Sequence, residues 1–326
     1  MNINKLGKLE PLARDVSPRQ YFRGDGFILM TYPDATPEHR AELLEFIRIG
    51  EWLSDNGVKT PKLYDLDKEN CKATFEDLGK VSFGKYLQEN PSSREELYIL
   101  ATDVLKKLST IGAPDNLPLY KNSKIHENRR QIVDYYFPIV RDLKISPFHV
   151  RDDMAGYLDA WQDIENSLPP CPQGFVHGDY HLENLIYVDG DCALIDYQDA
   201  LYGSLPYDLV NLLEDARVDI PKDLRAAMID RYCEGMSASG KDIFLKWYRV
   251  LGTQFHCRVL GLFIKLAAEQ GRDSYLIHIP RLQNYINNAL QDPLLSPLKA
   301  YFEKQGVDFT PIKDLNGRII REIFNS

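Results

Sequence analysis

Cysteine is scarce and unpatterned in this chain. Cys71, Cys171, Cys192, Cys233 and Cys257 are scattered through 326 residues and form no Cys-x-x-Cys pair. Such usage excludes a disulfide framework and points to reduced thiols in a cytosol; burial as small apolar side chains accounts for them better than a cysteine nucleophile does. No run of about 18 apolar residues is present, so no membrane span is expected. No apolar stretch follows Met1-Asn2-Ile3-Asn4-Lys5, so no secretory signal is expected, and a cytoplasmic protein is. There is no long basic block, and the net charge is −9, which excludes nucleic-acid binding through a broad electrostatic face. A cationic substrate is compatible with that charge but is not selected by it. Internal repeats and low-complexity segments are also missing.

What remains is an ordinary globular mixture, 44% hydrophobic and 27% charged, long enough for two domains. Gln20–Arg23 and Phe27–Thr31 read as strands joined by Gly24-Asp25-Gly26. Apolar residues at Leu43, Leu44, Phe46, Ile47, Ile49 and Leu53 predict a helix over 38–53, stopped by Asn56-Gly57. Pro61–Leu66 and Cys71–Phe75 read as a second strand pair, and Glu76-Asp77-Leu78-Gly79 breaks the pattern. The domain boundary is expected there, giving 1–78 and 79–326. Beyond it the chain reads as mostly helical. Ser92 and Ser93 each stand three residues before a Glu, as in a capping box, ahead of a stripe from Leu97 to Leu108. A long helix is expected over 241–270, with Trp247, Val250, Leu251, Phe255, Val259, Leu262, Phe263 and Leu266 facing inward.

Between those helices lies a short strand-rich insert that carries the chemistry. It reads His177-Gly178-Asp179-Tyr180-His181-Leu182-Glu183-Asn184, then Leu185–Val188, Asp189-Gly190, and Cys192–Ile195 ending on Asp196. Asp189-Gly190 supplies a hairpin turn, and an antiparallel hairpin brings its second end back to its first start. Asp196 is therefore expected beside Asn184. A carboxylate accepts the proton of an attacking hydroxyl, while an amide and a second carboxylate hold Mg²⁺ over ATP phosphates. The spacing thus assigns Asp179 as base and Asn184 and Asp196 as metal ligands. Asp199 is a further metal or substrate candidate. Asp208 follows Pro206 ahead of a Leu-Val-x-Leu-Leu run and reads as a helix N-cap. His177 and His181, at i and i+4, lack the third ligand and intervening helical Glu of a zinc site. His177 is assigned to loop support and His181 to the acceptor side. Gly178-Asp179-x-His181 also occurs in metal-dependent phosphoesterases, but their early Asp-x-His and later Gly-Asn-His are missing.

His-Gly-Asp-x-x-x-x-Asn followed by Asp-Tyr-Gln resembles the aminoglycoside phosphotransferase and choline kinase branch of the kinase-like fold more than protein kinases, whose signature ends Asp-Phe-Gly. The continuation from Asp196 through Asp199-Ala200-Leu201-Tyr202-Gly203 and Tyr207–Leu213 is similar to the anomeric kinases of cell-wall recycling that act on N-acetylmuramate and N-acetylglucosamine. Asp15–Arg23 resembles their nucleotide loop and Phe75–Gly79 their interlobe hinge. Gln254, His256, Arg258–Gly261, Lys265-Leu266, Gly271 and Ile279–Arg281 also follow them, so the similarity runs over nearly the whole chain. It departs at Ser17-Pro18-Arg19, where Ser-Phe-Arg is usual, and at Glu214, where Arg is usual. No Lys stands in Phe27–Thr31 to meet the phosphates, so Arg19 or Arg23 is the expected replacement.

The resemblance implies an α+β, protein-kinase-like two-lobe fold: a small N-terminal antiparallel sheet plus helix that binds nucleotide, and a larger, mainly helical C-terminal lobe. It implies an ATP- and Mg²⁺-dependent phosphotransferase acting on an amino-sugar hydroxyl. Ser17, Arg19, Arg23 and the Glu76 and Leu78 backbone would meet the nucleotide; His181, Asp199 and Asp215 would meet the acceptor; His177 and Asp208 would support the loop. An aminoglycoside or other small alcohol is the alternative acceptor, with Glu214, Asp215 and Asp219 available for ammonium groups. A catalytically inactive binding module is the alternative of another class, and the presence of both Asp179 and Asp196 argues against it.

Overall fold

A tight hairpin starts the architecture of this computed structural model, which describes residues 8–12, 18–141, 147–312 and 315–324. Strands β2 (Gln20–Arg23) and β3 (Phe27–Thr31) pair antiparallel, with Arg23 opposite Ile28. The Gly24 N–H closes the turn on the Phe27 carbonyl at 2.9 Å. β4 (Leu63–Asp67) and β5 (Lys72–Glu76) form the second antiparallel pair, and β1 (Glu10–Pro11) adds an edge that the sequence pattern does not announce. The sheet order is β1-β2-β3-β5-β4. Between the hairpins runs α1 (Pro37–Asp55), started by the Thr36 side chain, which accepts from the His39 N–H. Its apolar stripe buries Leu43, Phe46, Ile47, Ile49 and Leu53 as the spacing predicts, while Leu44, expected with them, is exposed.

α2 (Phe83–Glu89) and α3 (Arg94–Leu108) follow. The capping box expected at Ser92 and Ser93 does not form. Pro91–Ser93 make a 3₁₀ turn that leaves Ser93 at ψ 6°, not in the extended conformation a side-chain N-cap needs. β6 (Gln173–Val176), β7 (Leu185–Val188) and β8 (Asp191–Leu194) carry the central insert. β7 and β8 pair with Leu185 opposite Leu194, and Asp189 and Gly190 both take positive φ, as a two-residue hairpin turn requires.

The chain divides into two compact units, 1–117 with 174–202, and 118–173 with 203–326. The boundary expected at 78/79 falls inside the first unit. Backbone bonds explain why: the Leu194 N–H donates to the Lys59 carbonyl at 2.8 Å and the Tyr187 N–H to the Val81 carbonyl at 3.1 Å, tying the β7–β8 hairpin to the N-terminal sheet region.

The second unit comprises α4 (Lys124–Glu127), α5 (Phe137–Arg141) and α6 (Pro147–Asn166), then, after β9 (Leu201–Ser204), α7 (Pro206–Leu213), α8 (Lys222–Cys233), α9 (Ala238–Gln270), α10 (Ile279–Ala289), α11 (Ser296–Lys304) and α12 (Gly317–Phe324). α9 is its axis. It starts on the Ser237 side chain and ends on Gly271 at φ 66°. Trp247, Leu262 and Leu266, expected to face inward, are only half-buried, while every residue from Val250 to Cys257 is buried, so the middle of α9 is enclosed on all sides and not along one stripe. Two of its buried polar side chains are bonded, Gln254 Nε2 to Glu165 Oε1 at 2.6 Å and Thr253 Oγ1 to the Arg249 carbonyl at 2.9 Å.

Gly261 sits where a methyl group on α9 would fall inside the contact radius of the Gln131 backbone. Backbone cannot step aside as a side-chain tip can. Gly261→Ala is therefore expected to destabilise the protein by about 2–3 kcal/mol, the usual scale of overpacking. The check is a melting temperature at least about 5 °C below wild type.

Candidate active site

The loop after β6 is pinned from beneath by residues that alternate with those it presents. His177 is fully buried. Its Nδ1 accepts the Asp179 N–H at 3.3 Å, so the ring proton is assigned to Nε2, which donates to the Ile195 carbonyl at 3.0 Å. One imidazole thus links the start of the loop to the residue before Asp196. Gly178 lies between at φ 88°, a conformation that a side chain would strain. Tyr180 is buried and donates to the Ala101 carbonyl on α3 at 2.8 Å. Glu183 accepts from Ser82 Oγ at 2.7 Å, and that same hydroxyl accepts the Lys85 N–H to start α2.

Asp179, His181 and Asn184 converge. Asn184 Nδ2 donates to the Asp179 carbonyl at 2.9 Å and to Asp179 Oδ2 at 3.0 Å. His181 Nδ1 accepts the Glu183 N–H, which leaves Nε2–H facing Asp179 Oδ2 at 3.3 Å. Both neighbours therefore hold the same carboxylate oxygen. His181, expected on the acceptor side, is a partner of Asp179. With its nitrogen committed to Asp179, the Asn184 amide has its oxygen left to serve as a ligand.

The hairpin closes as its register demands. The Ile195 N–H donates to the Asn184 carbonyl at 3.1 Å, and Asp196 follows directly. Asp196 takes φ 62° and ψ 36°, left-handed backbone that Asp tolerates better than most residues. Such conformations cluster at functional sites. Gln198 Nε2 donates to Asp196 Oδ1 at 2.9 Å and to Asp199 Oδ2 at 3.2 Å, so Asp199 is brought beside Asp196. Below them Tyr197 stacks on Phe46 of α1, ring centroids 4.6 Å apart.

Asn184 and Asp196 line a cavity of about 260 Å³ together with Leu12, Tyr21, Ile28, Phe75 and the hinge from Glu76 to Gly79. Its walls are mainly apolar, and it lies wholly within the first compact unit. The hinge backbone at Glu76 and Leu78 is where the sequence expected it. Arg23 also lines the cavity, with its guanidinium engaged: Nε and Nη2 bind the two Asp77 carboxylate oxygens at 2.7 and 3.0 Å, and Nη2 also reaches the Gly79 carbonyl at 2.7 Å. The guanidinium that the sequence offered to phosphate is a bidentate brace of the hinge. Arg19 shares a hydrogen bond with the Tyr21 hydroxyl, which also feels Asp196 and Asp199; burial pushes that hydroxyl up to about 12, and Arg19 opposes the rise. Ser17 lies outside the described residues.

Asp208 and Asp215 belong to the second unit. Asp208 is buried in the first turn of α7, which begins at Pro206 with Leu205 before it, so it is a third-position residue and not the N-cap. A negative charge there still suits the helix dipole. Asp215 accepts from Arg217 Nε at 2.9 Å and Nη2 at 2.7 Å and from the Arg217 N–H. It is committed to that arginine rather than presented to a ligand.

Asn184 Oδ1 and the Asp196 carboxylate are hard oxygen donors, few in number, a set that suits Mg²⁺ shared with phosphate oxygens and water. Gln198, Tyr21 and the Arg23–Asp77 brace were not singled out from sequence. Gln198 had a signal, since it stands between two candidate carboxylates; the Arg23–Asp77 pair, 54 residues apart, had none.

A hinge over an apolar cleft, with an amide at its floor answered by a carboxylate across a hairpin, is the plan on which kinase-like phosphotransferases are built. The profile of the Phosphotransferase enzyme family matches residues 8–241. The chain belongs to that family and is a phosphotransferase. It is 27% identical over 289 residues to the N-acetylmuramate/N-acetylglucosamine kinase of Pseudomonas aeruginosa, covering 87% of this chain and 84% of that protein. To the kinase of the same name from Caulobacter vibrioides it is 29% identical over 346 residues, covering 93% and 94%. Among solved structures it is similar to a choline/ethanolamine kinase family protein from Mesorhizobium loti, with TM-score 0.58 at 15% identity, covering 91% of this chain and 93% of that one. An ADP-bound aminoglycoside phosphotransferase gives TM-score 0.58 at 11% identity, covering 88% and 94%. These likenesses show the α+β, protein-kinase-like fold.

Proposed function

We propose that this protein is an ATP-dependent amino-sugar kinase of the cytoplasm, moving the γ-phosphoryl group of ATP to a hydroxyl of an N-acetylated sugar. The observation that carries the reading is the Asp179–Asn184–Asp196 group, supported by whole-length similarity to kinases named for N-acetylmuramate and N-acetylglucosamine. Five free cysteines fit a reducing compartment, and no described helix is long and apolar enough to cross a membrane.

In this reading the adenine edge meets the hinge backbone at Glu76–Leu78, in the apolar cleft walled by Ile28, Phe75, Ile186 and Ile195. Arg23 keeps the hinge in place through Asp77, while Arg19 meets phosphate. Mg²⁺, when bound, neutralises charge on the phosphate oxygens. Asn184 Oδ1 and Asp196 are the side chains that would hold it, and Gln198 keeps the Asp196 carboxylate aimed. Asp179 accepts the proton of the acceptor hydroxyl as its oxygen bonds to phosphorus and ADP departs. Asn184 and His181 orient that carboxylate from one side. Transfer of this kind depends on positioning and charge more than on covalent chemistry by the protein.

ATP consumption against N-acetylmuramate, N-acetylglucosamine, an aminoglycoside panel and choline tests the reading. Turnover with one or both N-acetylated sugars, at least about 100-fold above the other acceptors in kcat/KM, is the expected outcome. Turnover confined to aminoglycosides or choline would overturn it.

A further inference from the structure

The second compact unit holds a cavity of about 950 Å³ between α8, α9, α10 and the segment after α7. That is large enough for a sugar-sized ligand. Its lining is unusual for a chain of net charge −9. Arg217, Lys222, Arg225, Arg249 and Arg281 line it, against the carboxylates of Glu214 and Asp219. His256 adds no charge at neutral pH, because burial holds its pKa at about 4 despite Glu214 at 3.3 Å. His278 is also depressed, by burial and then by Arg281.

The five cations are not equivalent. Arg217 is gripped by Asp215. Arg249 Nε lies 3.5 Å from Asp292. Arg281 donates to the Ala216 carbonyl at 2.8 Å and stands 3.9 Å from Asp219. Arg225 has no carboxylate partner among the described residues. Its Nη2 donates to the Tyr285 hydroxyl at 3.1 Å, its guanidinium lies 5.1 Å from the centre of the Tyr285 ring, and its Nε is buried without an acceptor. Lys222, on the same helix three residues earlier, is exposed and likewise has no carboxylate partner among the described residues. A guanidinium N–H buried without an acceptor costs on the order of 1–3 kcal/mol, which an anionic acceptor would recover. The stack on Tyr285 holds the planar fork for two-point binding of carboxylate or phosphate.

We propose that this cavity binds a sugar-sized molecule through an anionic group, a carboxylate or a phosphate, seated on Arg225 and Lys222. The choice of a sugar rests on the kinase reading above; the recognition of charge does not. Polycationic aminoglycosides are disfavoured by the same lining, since Glu214 faces His256 and Asp219 alone offers an outlying carboxylate.

Calorimetry on the whole protein without nucleotide tests this apart from activity. The probes are N-acetylglucosamine, N-acetylmuramate (the same ring with a carboxylate) and N-acetylglucosamine 1-phosphate. Wild type is expected to bind at least one anionic sugar 10-fold or more tighter than the neutral one. Arg225→Gln should erase that preference, Lys222→Ala should reduce it at least 3-fold, and binding of the neutral sugar should change less than 3-fold. Preference for the carboxylate assigns the site to an acidic acceptor, and preference for the phosphate to a phosphorylated product. Equal affinity of wild type for all three, or anion preference untouched in Arg225→Gln or in Lys222→Ala, overturns the proposal. If the anions bind through Arg225 while no acceptor is turned over, the kinase reading fails and this one stands.

Discussion

Asp179→Ala is expected to lower kcat by at least about 100-fold, the range lost with a general base, while KM for ATP stays within about 3-fold. The asymmetry follows from geometry. Asp179 is exposed over 58% of its side chain and does not line the apolar cleft that Asn184 and Asp196 share with the hinge. Its removal therefore takes no lining group from that cleft, and although Asn184 loses one bond it keeps the other, to the Asp179 carbonyl at 2.9 Å. Steady-state kinetics with an N-acetylated sugar and a coupled ADP assay read both constants. Asp179→Asn is the companion variant: it keeps the shape and a carbonyl oxygen for Asn184 and His181 to hold, yet cannot take a proton. It should be as slow as the alanine variant. If Asn restored near-native turnover, Asp179 would be a positioning residue and the base would lie elsewhere. Because the side chain is exposed, neither variant should shift the melting temperature by more than about 2 °C.

Much of the first compact unit was legible in the sequence because its signals are local. Glycine turns, a 3.6-residue stripe and an Asp-Gly hairpin each specify a few consecutive residues, and the observed strands lie within two residues of the expected ones. The Asp179–Asn184–Asp196 group was legible for the same reason: hairpin register alone carries Ile195 back to Asn184. What escaped depends on contacts between residues distant in sequence. Arg23 looks like a spare cation at a strand end until Asp77 is placed against it. The boundary at 78/79 looks natural until the β7–β8 hairpin is seen bonded to Lys59 and Val81. Asp215 looks available to a ligand, and its own neighbour Arg217 takes both oxygens. Charge assignments failed where pairing decided them, and the cationic cavity went unseen because its five cations come from four separate segments.

Asp196 is where the second large effect is expected, and its backbone decides which variant is informative. At φ 62° a residue other than Gly, Asn or Asp is strained by roughly 1–2 kcal/mol, so Asp196→Ala mixes lost charge with lost stability. Asp196→Asn avoids the mixture: Asn accepts left-handed backbone, fills the same volume and keeps an oxygen for Gln198 Nε2. What it removes is the negative charge of the proposed metal ligand. Asp196→Asn is therefore expected to retain the wild-type melting temperature within about 2 °C and to lose at least about 1000-fold in turnover, since charge neutralisation at the phosphates carries most of the rate in such transfers. Binding separates the cause. ATP affinity measured with excess chelator should match wild type within about 3-fold, because the hinge and apolar walls are unchanged. Affinity measured with saturating Mg²⁺ should fall at least about 10-fold. Wild-type Mg²⁺ dependence in Asp196→Asn would remove Asp196 from the metal site and leave Asp199, joined to it through Gln198, as the carboxylate to replace next.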